Sequence, residues 1–128
     1  MKLYLAVGIG GVIGSIFRYI ISILFWTDEL AGFPWATFIA NITGAFLLTV
    51  IIFQPFVVTK LAPITFVALT TGLIGSYTTF STLILEITVL FSNDVMIAVT
   101  YLVATIIGGL LASFSGYVIA QKTNRGAT

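Results

Sequence analysis

Six hydroxyl-bearing side chains fall within seven residues of this chain: Ser76, Tyr77, Thr78, Thr79, Ser81 and Thr82. Just ahead of them stand Gly72 and Gly75. A hydroxyl can donate to an anion or accept from a neighbouring donor. Where a helix unwinds beside such a cluster, the freed carbonyls form an oxygen set suited to a hard cation. The surrounding segment, 63–90, is apolar. As one straight helix its ~28 residues would reach roughly 42 Å, against a hydrocarbon core of roughly 30 Å. It must tilt strongly or break, and the glycines and hydroxyls favour a break near the bilayer midplane. Lipid cannot satisfy the backbone groups that a break exposes, so the break must face protein, water or an ion.

Elsewhere, side chains able to do chemistry are scarce. The 128 residues include five Lys and Arg, four Asp and Glu, and neither His nor Cys. Without His the commonest general base and transition-metal ligand are missing. Without Cys there is no disulfide or thiolate chemistry. So few titratable groups argue against an enzyme. The net charge of +1 and the lack of a basic run give no footprint for nucleic acid. Charged residues make up 7% and hydrophobic ones 59%, with mean hydropathy +1.20. A soluble domain carries about 25% charged residues. The composition is that of an all-α membrane protein, with length for one domain over 1–128 and four transmembrane helices.

The expected spans are about 3–25, 34–53, 63–90 and 95–120. The first carries the Gly10/Gly14 pair, which permits close helix approach, and Arg18 on the same face. Lys2 before an apolar run resembles a signal peptide. Arg18, and the lack of a small-residue cleavage site before Trp26, favour a retained span. Arg18 either snorkels toward the interface or lines an aqueous vestibule that concentrates anions. In the second span Thr37, Asn41, Ala45 and Leu48 share a stripe, so Asn41 faces a partner helix or a lumen. Past the break Thr79, Thr82, Leu83 and Glu86 share one face. Glu86 lies toward the end of its span, where it is solvated or pairs with Arg18. The fourth span sets Ala104, Gly108, Ala112 and Gly116 at strict four-residue spacing, a packing seam, with Tyr101 and Thr105 extending that side. Tyr101 also suits an interfacial aromatic belt. The connections read as loops at 27–33, 54–62 and 91–94.

Four spans put both termini and the 54–62 loop on one side. That side carries Lys2, Lys60, Lys122 and Arg125, whereas the other holds Asp28, Glu29 and Asp94 and no basic residue. The bias predicts both termini in the cytoplasm.

Three groups of residues together carry a resemblance that extends over nearly the whole chain. They are Gly11-Val12-Ile13-Gly14-Ser15-Ile16-Phe17-Arg18-Tyr19, then Thr37 with Asn41, then Gly72-Leu73-Ile74-Gly75 through Thr78-Thr79-Phe80-Ser81-Thr82. In motif order, length and span number the chain resembles the Fluc fluoride channels, also called CrcB proteins. The resemblance implies a passive, fluoride-specific ion channel in a bacterial plasma membrane, relieving the cytoplasm of toxic fluoride. It implies an antiparallel dimer with narrow pores and a structural sodium ion (Na+) at the centre of the interface. By motif position the backbone carbonyls of Gly75 and Thr78 hold that sodium. Asn41, Phe80, Ser81, Thr82, Tyr101 and Thr105 take pore-lining or near-pore positions, and Arg18 takes the vestibule. Fluoride entering a dry pore must exchange its water for donors, which amide N–H, hydroxyl O–H and the positive ring edge of Phe80 supply.

The chain departs from the family pattern in two respects. Leu83 stands where a second phenylalanine is usual, and the charge bias fixes one orientation, whereas single-gene members have little bias. Both suit a heterodimer with an oppositely oriented homologous subunit rather than a second copy, with Leu83 marking a degraded pore. Two alternatives compete with a channel. A non-conducting assembly subunit gains support from the small-residue seams and Leu83. A small proton-coupled efflux transporter requires a deep titratable acid, and Glu86 is the sole acid within a span.

Overall fold

The computed structural model describes residues 1–25 and 32–125, and within them four helical stretches are long and apolar enough to cross a membrane. The first two are α1 (Lys2–Leu24) and α2 (Trp35–Phe53). A short α3 (Pro55–Lys60) occupies most of the connection expected as a loop, started by a proline whose fixed φ suits a first helical turn. The third span is composite: α4 (Pro63–Val67), a π-helical stretch (Ala68–Ile74), the single turn α5 (Gly75–Tyr77) and α6 (Phe80–Asn93). The fourth is α7 (Val95–Arg125). Among the described residues every regular element is helical. The loop residues Asp28 and Glu29, and Trp26, lie outside the described residues.

Two helices run further than the sequence suggests. The connection expected at 91–94 shrinks to Asp94 alone, because α6 continues to Asn93 and α7 starts at Val95. Asp94 Oδ1 accepts from the amides of Met96 and Ile97 at 2.9 and 3.1 Å, an N-cap that starts α7 at once. At its other end α7 runs past Ala120 to Arg125. No glycine or proline stands between Gly116 and Gly126, and Thr123 Oγ1 bonds back to the carbonyl of Ile119 at 3.1 Å.

Small residues bring the helices together. A β-carbon at Gly10 or Gly14 would strike the carbonyls of Ala68 and Leu73, and one at Gly72 would lie 2.6 Å from the carbonyl of Val7. The backbones of α1 and the π-helical stretch therefore touch, an approach that only glycine permits. The seam on α7 faces α2. Gly108 lies against Ile42 and Phe38, and Gly116 against the Phe46 carbonyl, Thr49 and Val50. A compact core joins α6 to α7 through Leu83, Ile87, Leu90, Ala98 and Tyr101, with Phe33 and Phe38 closing it. Large apolar side chains on the outer faces of α1 and α7, such as Ile9, Phe17, Leu110 and Phe114, are exposed. A bilayer or a neighbouring subunit is the solvent such faces require.

Candidate functional site

The third span stops being helical at Thr78 and Thr79, whose backbones are extended (φ −79°, ψ 157° and φ −150°, ψ 123°). Gly72 lies within the π-helical stretch and Gly75 keeps helical angles, so the interruption follows the glycine pair rather than coinciding with it. Its cause lies across the molecule on α2. Asn41 Nδ2 donates to the Thr79 carbonyl at 3.0 Å, and Asn41 Oδ1 accepts from the Thr79 amide at 2.8 Å. One carboxamide thus satisfies both backbone groups of an extended residue, as a neighbouring strand would.

These bonds withdraw donors from the helix ladder. In a continuous helix the Thr79 amide would serve the Gly75 carbonyl, and the Thr82 amide the Thr78 carbonyl. Here Thr79 N–H is taken by Asn41, and Thr82 N–H donates to Thr79 Oγ1 at 3.2 Å, the N-cap of α6. The carbonyls of Gly75 and Thr78 have therefore lost their helical partners. Backbone oxygens in that state are the ligand type a hard cation takes, so this pair fits sodium in chemistry.

The hydroxyl cluster is ordered as well. Thr79 Oγ1 donates to Thr82 Oγ1 at 2.9 Å and contacts Ser81 Oγ at 3.3 Å. Thr79 has one proton and gives it to Thr82. Thr82 itself lines the adjoining cavity. That cavity, about 490 Å³, extends from Phe25 and Pro34, at the α1–α2 end, to Thr79 and Thr82 at the break. Arg18, Thr37 and Glu86 also line it.

Glu86 is held by hydroxyls from two other helices. Thr37 Oγ1 donates to Oε1 at 2.7 Å and Tyr101 Oη to Oε2 at 2.6 Å. Charge-assisted bonds of this length keep a carboxylate ordered away from bulk water. Tyr101 is completely buried, so it belongs to the core and not to an interfacial belt. Thr105, also buried, spends its hydroxyl proton on the Tyr101 carbonyl at 2.7 Å.

The residues singled out in the sequence thus fall into distinct places. Arg18 and Thr82 share the cavity. Asn41 and Ser81 reach it through Thr79, while Tyr101 and Thr105 stand behind Glu86 in the core. Gly75 stands in the turn before the break, and Thr78 is the first residue of the break. Phe80 opens α6 with 74% of its surface exposed. Leu83 points the other way, 5% exposed and packed into the α6–α7 core with Tyr101. The resemblance supplies Thr37 and Tyr101 but not Glu86, the carboxylate that joins them. The only sequence signal of this bridge is a pair of polar stripes, Thr37/Asn41 on α2 and Thr79/Thr82/Glu86 on α6, whose members turn out to bond across the interface.

The family described as CrcB-like protein, Camphor Resistance (CrcB), matches residues 5–117. The chain belongs to the CrcB family. Curated relatives of this CrcB chain agree over nearly its full length. It is 42% identical over 123 residues to fluoride-specific ion channel FluC 2 of Geobacillus kaustophilus, covering 95% of each chain. It is 42% identical over 119 residues to fluoride-specific ion channel FluC 2 of Clostridium acetobutylicum, covering 92% of this chain and 97% of the relative. It is 38% identical over 117 residues to fluoride-specific ion channel FluC 1 of Listeria monocytogenes, covering 91% and 95%. With four spanning-length helices, this CrcB chain is a multi-pass membrane protein.

Proposed function

We propose that the chain is a subunit of a fluoride-selective channel that passes fluoride out of the cytoplasm down its gradient. The observation that carries this reading is the pinned break: an unwound segment whose hydroxyls border a cavity lined by Arg18, on a chain whose relatives are named fluoride-specific channels. The break sits near mid-bilayer, where unpaired backbone groups demand a polar occupant. Arg18 raises the local anion concentration, and Thr82 O–H supplies a donor in place of lost water. The exposed ring of Phe80, with its positive edge, and Ser81 beside it take the pore face. Asn41 holds the break open. Thr37 and Tyr101 fix the Glu86 carboxylate at the cavity wall, and Thr105 braces the Tyr101 backbone behind it.

A dimer of antiparallel subunits completes the site. Two carbonyls from one chain are fewer than a hard cation takes, and those of Gly75 and Thr78 with their equivalents from a second subunit supply a fuller set. A sodium ion there contributes a fixed positive charge and ties the two breaks together. The four-to-none basic bias places both termini in the cytoplasm, so the partner of opposite orientation is a homologous subunit rather than a second copy. Names numbered FluC 1 and FluC 2 among the relatives agree with family members occurring in pairs.

A non-conducting assembly subunit is the second reading. It is favoured by Leu83, which offers no ring and whose side chain is buried in its own subunit.

Fluoride efflux from liposomes tests these readings, using this chain alone and with an oppositely oriented member of the family, chloride being the control anion. Fast fluoride-only efflux with both chains and little with one supports the heterodimer. Full efflux from one chain overturns the heterodimer and keeps the channel. Equal leakage of both anions overturns the channel itself.

A further inference from the structure

Three neighbouring residues of α2 touch Tyr77, Thr78 and Thr79, the end of α5 and the break that follows it. Asn41 bonds both backbone groups of Thr79, Thr43 Oγ1 lies 2.8 Å from Tyr77 Oη, and Gly44 faces Thr78. The last contact is steric. Gly44 is buried, and a β-carbon built on it would overlap the Thr78 methyl, Cγ2, and reach 3.4 Å from Tyr77 Cδ1. The Thr78 methyl is not free to turn aside. Thr78 Oγ1 donates to the Ile74 carbonyl at 3.0 Å, and the Thr78 amide donates to the same oxygen at 3.0 Å. Rotating the side chain sacrifices the first bond, and a β-branched residue has few rotamers to rotate into. A methyl added at position 44 must therefore push the 78–79 backbone off α2.

From this we infer that Gly44 is a positioning residue for the Thr78 carbonyl: its missing side chain is the seat into which the Thr78 methyl fits, and that seat sets the direction of the 78–79 peptide. The inference rests on the proposed cation site at the carbonyls of Gly75 and Thr78. It predicts a reciprocal pair. Gly44→Ala fills the seat and turns a cation ligand away. Thr78→Ser removes Cγ2 but keeps the hydroxyl bond to Ile74 and the carbonyl, so it reopens the space.

The test uses purified full-length wild type, Gly44→Ala and Gly44→Ala/Thr78→Ser, reconstituted as the channel that conducts. Thermal unfolding is followed across a sodium titration, with N-methylglucamine keeping ionic strength constant. Wild type is expected to be stabilised by sodium. Gly44→Ala is expected to need about tenfold more sodium for the same stabilisation, as when a group that orients a metal ligand is lost. The double variant is expected to return to the wild-type sodium dependence. Gly44→Ala with a wild-type titration, or a double variant no better than the single one, would overturn the assignment to Gly44. Absence of any sodium effect on wild type would instead overturn the cation reading and this inference with it. Should Gly44→Ala alone not fold, the double variant decides: recovery of fold and sodium dependence supports the paired fit, and failure to recover overturns it.

Discussion

Asn41 spans a sequence distance of 38 residues to hold the amide and the carbonyl of Thr79 at 2.8 and 3.0 Å. Asn41→Ala orphans both backbone groups in a half-buried setting, at a cost of about 1–3 kcal/mol for each unsatisfied group. The expected outcome is loss of fluoride efflux together with a lower unfolding midpoint. Asn41→Asp keeps the acceptor for the Thr79 amide but sets a carboxylate oxygen against the Thr79 carbonyl, so it should abolish efflux with a fall in stability at least as large. Denaturation and liposome efflux on both variants separate the two effects.

Thr37 and Tyr101 donate to different oxygens of one carboxylate, that of Glu86. Thr37→Val and Tyr101→Phe should each destabilise the protein by about 1.5–3 kcal/mol, the range for a hydrogen bond to a charged group. Because they share a partner, the double variant should depart from the sum by at least 0.5 kcal/mol or so. A double-mutant cycle by chemical denaturation measures that coupling, and strict additivity would argue against a shared network.

Leu83 fills a site bounded by Ile87, Leu90 and Tyr101. Restoring the ring with Leu83→Phe overpacks it, at a cost of about 1–3 kcal/mol. Stability should fall with no gain in efflux from the chain alone. A rise in efflux without loss of stability would show that the ring finds the pore.

Gly8 and Gly14 lie on the same helix, yet a β-carbon at Gly8 meets nothing within 4 Å, while one at Gly14 meets the backbone of Leu73. Gly8→Ala should be neutral or slightly stabilising, in line with helix propensity. Gly14→Ala should separate α1 from the π-helical stretch and lower the yield of monodisperse protein. Size-exclusion profiles of the two variants compare them directly.

Arg18 lines the cavity as its basic side chain. Arg18→Gln should slow fluoride efflux several-fold at low ionic strength and much less near 1 M salt, where the screening length falls to about 3 Å. An effect independent of salt would assign Arg18 to packing.

Much of this architecture is legible in the residues themselves, and what is not has a physical reason. Four spans follow from a 7% charge content, and the Ala104–Gly116 spacing marks a packing face. That this face meets α2 is invisible, because a seam names no partner. The hydroxyl run and the glycine pair flag an irregular third span, but the glycines stay helical and the chain unwinds at Thr78 and Thr79. Local propensity points to Gly72 and Gly75. The decision is made by Asn41, whose role depends on tertiary contact. Glu86 reads as a carboxylate near the end of its span. Only the fold reveals that Thr37 and Tyr101 reach it from either side.

The single-residue link at Asp94 has a mechanical consequence. With α6 and α7 joined by one residue and sharing a core from Leu83 to Tyr101, and with α7 seated on α2 at Gly108 and Gly116, the three helices form one block. Phe80 lies at the edge of that block, and the Thr78–Thr79 link, fastened to Asn41 of α2, joins it to the first half of the third span. A shift of α1 and the π-helical stretch against this block would be taken up at the Thr78–Thr79 link, beside the residues that border the cavity.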